Sequence, residues 1–500
     1  MVIAGLILSI VLEWLIYSLK PLWAHRDKLV VPPLVLCGFG TSAMIVAYPH
    51  WSIVFVVAIS VFRVINHLRI AQGRMHDQYL RHSSRRTGLV LGLAQLVGIG
   101  VVLLQPTNLN PVINVYMAAQ FAFASLTLII TSRTIANTRF RRDEVYFADK
   151  ELPSVTVAIP ARNETDDLEQ CLRSVLANDY PKLEIIVLDD CSQDKTADVI
   201  RSFAHAGVRF IKGEEPSDRW LAKNQAYSRL EEEATGELVL FCGVDVRFGP
   251  QAVRALVSTL LARNKSMLSV MPRRLTSEVL SVFVQPLRYW WELAVPRRLF
   301  NRPAVLSTCW LIRRKTLKKL GSFDAVSHSI LPEGYFAREL VKSDQYSFLR
   351  ADDILDVQTR KTPERQRETA IRMRYPQIRR RPEIALLLTI THVFFMLAPL
   401  ACFISSFWLG VGWIQTIGLI SYLMLTATHV SIVQVSNPAN VLTAALSYPL
   451  AILVELVISY ISMFRYEFSE VNWKGRNVCI PVMHAIPKRD FLASLEKDIK

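Results

Sequence analysis

Several polar clusters, each placed where an apolar run stops, hold the residues of this chain best suited to chemistry. Asp189 and Asp190, followed by Cys191 and Ser192, close the run 184–188 and open toward a helix. Two carboxylates and a hydroxyl at the carboxyl edge of a sheet are where open α/β folds bind ligands, and they can hydrogen-bond a ribose or a base. Pro160, Arg162 and Glu164 end the run 155–159 in the same manner, either as nucleotide contacts or as ordinary loop residues. Asp245 follows the run 237–241 and is the natural metal candidate. Mg²⁺ is commonly held by one or two carboxylates while substrate phosphates and water complete its octahedron, so one carboxylate can suffice. Gly243, two residues earlier, stands where a first metal-binding Asp would be sought. Lys223 can place a point charge on a diphosphate, or simply be solvated at the start of a helix.

The elements that must position these groups follow from periodicity. Strand patterns at 155–159, 184–188, 208–211 and 237–241 alternate with amphipathic helices at about 166–177, 195–206, 222–234 and 250–262. That alternation predicts βα units and a mostly parallel sheet. Asp194 is placed to cap the second helix, and Pro250 suits a first helical turn.

Around this region the chain is built for lipid. Of 500 residues, 51% are hydrophobic, and the mean hydropathy is +0.26. Apolar runs of about spanning length lie at 2–19, 29–48, 51–65, 89–104 and 112–131, then at 384–408, 412–433 and 441–464. The first has no basic leader or cleavage site and reads as a retained span. Arg63, near one end of the short third run, is expected to lay its stem along lipid and reach the interface. The net charge of +15 gathers beside the runs, at Lys20, Arg26, Lys28, 69–86, Arg133, Arg139, Arg141 and Arg142. This pattern suits an anionic membrane surface and argues against nucleic acid. By the positive-inside rule the N-terminus lies outside, five spans follow, and the chain enters the cytoplasm near Arg133. Arg465, Lys474, Arg476, Lys488 and Arg489 in the tail favour one non-crossing run among the last three. Glu13 and Glu455, inside apolar runs, are expected to face a bundle interior. His392 and His429 are read as helix-packing residues. The seven cysteines form no CxxC pair and read as reduced thiols.

The ordered blocks VTVAIPARNE, LEIIVLDDCSQDKT, RWLAKNQA and GELVLFCGVDV resemble a family-2 glycosyltransferase with a GT-A catalytic domain. They are similar above all to the membrane-embedded branch that includes ceramide glucosyltransferases and hopene-associated glycosyltransferases. The resemblance covers roughly residues 155–340 and returns in the tail at VNWKGR, 471–476. It implies that 159–164 and Asp189-Asp190 bind the nucleotide of a sugar donor. Trp220 and Lys223 would lie along the donor site, and Asp245 would be the surviving member of the DxD metal motif. Aligning Ala337-Arg338 with the family's helix puts Glu333 where the base Asp is expected and Pro332 where its acidic neighbour would stand. Alone, Glu333 reads foremost as a surface Glu in the first turn of a helix after proline, favoured there by the helix dipole. The basic run 360–381 holds nine Lys or Arg against two Glu and is read for the most part as a membrane-surface anchor, with Arg372 or Arg374 as further diphosphate candidates.

The expected architecture is an α/β GT-A domain at 152–345 flanked by transmembrane helices: residues 1–132 before it, a basic interfacial segment 346–383, helices within 384–464 and a cytoplasmic tail 465–500. The expected activity is inverting transfer of a sugar from a nucleotide-sugar donor, a UDP-sugar foremost, to a lipid hydroxyl at the cytoplasmic face of the inner membrane, with Mg²⁺ or Mn²⁺ as cofactor. A retained carboxylate base favours an alcohol over an already ionised phosphate acceptor. The alternative is an inactive glycosyltransferase-like scaffold or lipid-binding protein, motivated by Gly243, Pro332 and the missing QxxRW element. A transporter fits poorly because the spans lack the Gly/Pro breaks of transport sites.

Overall fold

The computed structural model describes residues 2–73, 77–105, 110–140, 147–217, 220–274, 278–284, 286–295 and 303–478. Arg141, Arg142, Cys479, Lys488 and Arg489, and part of the connector 106–111, lie outside the described residues. The chain forms two units, one of residues 1–123, 371–421 and 456–471, the other of 124–370, 422–455 and 472–500.

In the second unit the strands are β1 (Val155–Ala161), β2 (Leu183–Asp189), β3 (Val208–Lys212), β4 (Leu238–Cys242), β5 (Val246–Phe248), β6 (Met267–Met271), β7 (Arg273–Arg274), β8 (Cys309–Arg313), β9 (Tyr346–Arg350), β10 (Val357–Thr359), β11 (Asn472–Trp473) and β12 (Arg476–Asn477). The main sheet has the order β3-β2-β1-β4-β8-β6-β9. β8 runs antiparallel to β4 and β6, and the remaining pairs are parallel, so the sheet is mixed and mostly parallel. β1 and β4 are apolar almost throughout because helices cover parallel strands on both faces. The helix Thr165–Leu176 shows the matching stripe: Leu168, Cys171, Leu172 and Val175 are buried at helical spacing against the sheet. A second, three-stranded sheet has the order β5-β10-β7. The four expected strands and helices are present within a few residues. The expectation for Pro250 is corrected, since the last of these helices is Ala252–Ala262 with Gln251 at its N-cap, leaving Pro250 before it.

An aromatic cluster fixes the far half of this sheet. Trp310 on β8 stacks on Phe241 of β4 at 4.4 Å between ring centroids, and Phe323, Phe336 and Tyr227 close around them. Phe336 lies on the helix Pro332–Val341, so the cluster anchors the element that carries Glu333.

Among the described residues, seven helices are long and apolar enough to cross a membrane: Arg26–Ala47, Ile53–Gln72, Asp77–Leu104, Asn110–Asn137, Pro382–Trp408, Gly412–Ser436 and Pro438–Phe468. The helix Ile3–Ser18 is apolar but shorter. All three C-terminal runs therefore have spanning length, and the short helix is the first of the chain. Many large apolar side chains on these helices face outward, including Val46, Leu104 and Trp408, a surface suited to lipid and costly in water.

In the first unit, polar side chains are spent on one another. Arg63 does not reach toward an interface: it is 1% exposed, and its guanidinium donates to Glu13 Oε1 at 2.7 and 3.0 Å, Gln95 Oε1 at 2.8 Å and Ser9 Oγ at 2.6 Å. The reason is that Glu13, buried as expected, supplies a partner inside the helix cluster, and a buried pair is better than two charges in lipid. Gln95 passes the network to Ser60, which contacts Thr41. Arg69 and Arg380 both pair with Glu467. In the second unit, buried His429 takes a hydrogen bond from Trp290 Nε1, and in the first His392 Nδ1 lies 2.6 Å from Leu388 O, as packing residues do.

Candidate functional site

The carboxyl ends of β1 and β2 meet as the sequence pattern requires. Pro160 and Ala161 pair with Leu188 and Asp189, and Asp190 N donates to Ala161 O. The chain turns sharply just beyond: Asn163 and Cys191 both adopt the left-handed region, with φ of 49° and 54°. Non-glycine residues hold that conformation only where the surroundings impose it. Gly213, at the end of β3, comes so close that a Cβ there would stand 2.6 Å from Asp189 O.

Arg162 ties this edge together. Its Nη1 donates to Asp190 O and Cys191 O, and its Nε to Lys474 O at 3.1 Å, so its guanidinium is committed to carbonyls. Asp189 Oδ1 accepts from Ser192 N at 3.3 Å. Asp194 accepts from the N–H and hydroxyl of Thr196 and the hydroxyl of Thr165, bonds that hold its carboxyl below the ordinary value against the opposing effect of burial; the helix Thr196–Ser202 has Lys195 at its N-cap, so Asp194 stands one residue before the cap position expected of it.

A tail hairpin covers the edge. β11 and β12 pair across Lys474 and Gly475, whose φ of 49° and 79° define the tight turn; glycine meets that demand without strain. Arg476 donates to both oxygens of Asp190, at 2.7 and 2.8 Å, and to Glu215 at 2.8 Å. Lys474 contacts Glu164 and donates to Arg162 O. Burial raises the carboxyls of Asp190 and Glu164 above the ordinary range, with Arg476 and Lys474 opposing it.

Asp245 lies in the turn between β4 and β5, closed by Val246 N donating to Gly243 O. Its Oδ2 accepts from Thr359 Oγ1 at 2.9 Å and pairs with Lys361 at 3.2 Å. Burial raises this carboxyl, but Lys361 and Thr359 outweigh it and leave it below the ordinary value. A Cβ at residue 243 would stand 2.6 Å from Asp245 Oδ1, so the glycine makes the room that this carboxylate occupies. Among the described residues there is no group of three His, Cys, Asp or Glu side chains that could hold a metal. A single carboxylate fits an ion carried largely by a diphosphate and does not fit one held by the protein alone.

Glu333 sits in the first turn of Pro332–Val341, with proline at the start. It is fully buried, and neither carboxylate oxygen has a hydrogen-bond partner among the described residues. Burial pushes its carboxyl up, opposed by the charge of Lys223, by its own backbone N–H and by the charge of Arg288, and reinforced by Glu292. Lys223 also lies 5.1 Å from the Tyr227 ring centroid. Buried Asn224 donates to the carbonyls of Val326, Ser327 and Ser329, and Leu221 N donates to Ser327 O, which pins the loop before Glu333.

The structure therefore brings the predicted residues together in two groups: Pro160, Arg162, Glu164, Asp189 and Asp190 at the strand edge, and Lys223 with Glu333. Asp245 is tied to residues that sequence reasoning missed. Thr359 and Lys361 lie more than a hundred residues downstream with no local signature, and Arg365 pairs with Asp167 and Glu164. The basic run is thus not all a membrane anchor: Lys361, Arg365, Arg380 and Arg381 pair with carboxylates of the chain, because acidic neighbours brought in by folding outcompete solvent. Asn224 was hidden beside Lys223, whereas Arg476 stood within the tail motif already singled out.

Residues 156–321, about a third of the chain, match the family model described as Glycosyl transferase family 2. The chain is 30% identical over 185 residues to the probable glycosyltransferase YdaM of Bacillus subtilis (strain 168), covering 35% of this chain and 44% of that protein. It is 31% identical over 113 residues to glycosyltransferase AglE of Haloferax volcanii, covering 22% and 36%. It is 32% identical over 125 residues to the 4,4'-diaponeurosporenoate glycosyltransferase of Staphylococcus aureus (strain MRSA252), covering 25% and 32%. The chain thus spans less than half the length of these relatives. Among solved structures it is similar to the mannosyltransferase PcManGT from Pyrobaculum calidifontis in complex with GDP-Man and Mn²⁺, at 18% identity, TM-score 0.41, covering 70% of this chain and 99% of that one. It is also similar to S. aureus TarS 1-349 in complex with UDP, at 15% identity, TM-score 0.32, covering 65% and 95%. Residues 156–321 thus carry the pattern of that family model, and with the mixed, mostly parallel sheet built on them the fold is GT-A-like.

Proposed function

We propose that this protein is an inverting glycosyltransferase that moves a sugar from a nucleotide-sugar donor, a UDP-sugar foremost, to the hydroxyl of a membrane lipid, and that it belongs with the ceramide and hopene-associated branch of family 2. One observation carries the reading: a fully buried carboxylate, Glu333, with neither oxygen bonded, in a chain that carries the family-2 pattern. A structural glutamate at a helix start would be solvated or capped. A general base needs the opposite, an unengaged carboxylate whose pKa is lifted toward working pH.

In this reading Glu333 accepts the proton of the acceptor hydroxyl as its oxygen attacks the anomeric carbon. Lys223, coupled to Glu333, limits the rise in its pKa and lies along the donor. Asp190 and Glu164 serve the nucleotide, with Arg162 positioning the Asp190 backbone. Asp245 is the residue that would hold a Mg²⁺ or Mn²⁺, with Lys361 beside it as a second positive charge for the diphosphate. When bound, that ion would neutralise charge on the leaving diphosphate. Seven apolar helices of spanning length support an integral membrane protein, which we assign to the inner membrane with the domain cytoplasmic.

The test is purified protein with labelled UDP-sugars, a membrane lipid extract and Mg²⁺ or Mn²⁺. Lipid-soluble label that disappears in Glu333→Gln is expected. No label with any nucleotide-sugar, alongside retained lipid binding, would make the protein a scaffold.

A further inference from the structure

Arg274, at the end of β7, is 6% exposed, and none of its three guanidinium nitrogens has a hydrogen-bond partner among the described residues. A buried cation without a partner is among the least favourable arrangements a fold can keep, and the usual outcome is a paired carboxylate. Its place in the fold is specific. β7 pairs in parallel with β10 so that Arg274 lies opposite Thr359, and paired residues of neighbouring strands project to the same face. Thr359 spends its hydroxyl on Asp245 Oδ2, so Arg274 projects to the face that carries the Asp245 carboxylate. Burial lowers the Arg274 pKa to about 10, and Tyr289, Asp245 and Glu278 partly offset this, while Arg288 adds to it.

Arg288, half-buried with its Nε also unpartnered among the described residues, acts electrostatically on both Arg274 and Glu333. A second guanidinium, on the helix Pro286–Leu293, therefore lies within electrostatic reach of Arg274. Neighbouring cations repel unless an anion stands between them, and the guanidinium fork matches the two oxygens of a phosphate or carboxylate.

We infer that Arg274, flanked by Arg288, is an oxyanion-binding site that receives a phosphate or carboxylate brought by a substrate. Two sources share that chemistry. The donor's diphosphate would arrive beside Asp245. An acidic group on the acceptor would arrive past the helix Pro286–Leu293, which carries Arg288 and is bonded through Trp290 to His429 of the candidate span Gly412–Ser436. The site stands on the buried, unpartnered Arg274 guanidinium and its register opposite Thr359, whereas its assignment to donor or acceptor rests on the transfer reading.

Binding measured without turnover separates the two questions. The full-length protein in detergent micelles is titrated with pyrophosphate, with dodecyl phosphate, and with uridine as an uncharged control, as wild type and as Arg274→Gln. A tenfold or greater loss of pyrophosphate affinity with uridine binding unchanged assigns the site to the diphosphate. A similar loss for dodecyl phosphate, with pyrophosphate unchanged, assigns it to an acidic acceptor. Equal affinities of both proteins for both anions would overturn the site. If Arg274→Gln does not fold, hydrogen exchange on the unmodified chain decides: added protection at 271–274 and 357–359 with either anion upholds it, and unchanged exchange there refutes it.

Discussion

Replacing Glu333 by Gln keeps the shape of the side chain and removes both its charge and its basicity, so it tests two consequences of one observation. The carboxylate is fully buried with unbonded oxygens, and its pKa is raised by that burial. As a general base it should contribute about 10²- to 10⁴-fold to transfer, so kcat should fall by that factor while donor binding holds. In the wild type, the acid limb of the rate profile should lie above about pH 4.3, the ordinary glutamate value, because the base must lose its proton to act. Stability should show the reverse sign. A carboxyl with a folded pKa above its unfolded one binds more protons when folded, so the wild type loses stability as pH rises from the unfolded value through the folded one. Each unit of elevation is worth about 1.4 kcal/mol above that window. Gln carries no such titration, so the midpoint of thermal unfolding of Glu333→Gln minus that of the wild type should grow between about pH 4 and 8. The assays are label transfer to lipid and thermal unfolding of the micellar protein across that range. A kcat loss under tenfold, or a pH-independent difference in midpoint, would refute the reasoning.

Further outcomes follow from the other contacts. Gly243→Ala puts a Cβ where Asp245 Oδ1 lies, so it should displace that carboxylate from Thr359 and Lys361 and weaken binding of metal and UDP together, measurable by calorimetry. Arg476→Ala removes both charge-assisted bonds to buried Asp190 and should cost about 1.5–3 kcal/mol, seen as a lower unfolding midpoint. In the helical unit, Arg63→Met or Glu13→Leu alone should destabilise by about 3–5 kcal/mol by leaving one buried charge unpaired, and the double variant should recover much of the folded yield. Equal yields from single and double variants would contradict that pairing.

What was legible in the sequence was whatever local pattern specifies. β1 to β4 alternate with helices whose apolar stripes repeat at helical spacing, and each was found within a few residues. β6 and β8 were not, because their short apolar runs, Met267–Met271 and Cys309–Arg313, lack the acidic strand ends that marked β2 and β4. The acidic strand ends pointed to the ligand edge, and Glu333 and Asp245 were named from motif order. Their partners were not legible: Thr359 and Lys361 meet Asp245 only because β10 pairs with β5, a contact of long sequence separation. Arg63 was misread for a related reason. Hydropathy places an arginine near the end of a run, but only the packing of three helices shows Glu13, Gln95 and Ser9 converging on it.

The central claim is transfer of sugar to lipid with Glu333 as base, and the most direct measurement is mass spectrometry and proton NMR of the lipid product formed from a nucleotide-sugar with a membrane lipid extract. The account predicts a glycosylated lipid with the anomeric configuration inverted relative to the donor, formed by the wild type and lost in Glu333→Gln. Retention of configuration, or equal product from both proteins, would contradict it.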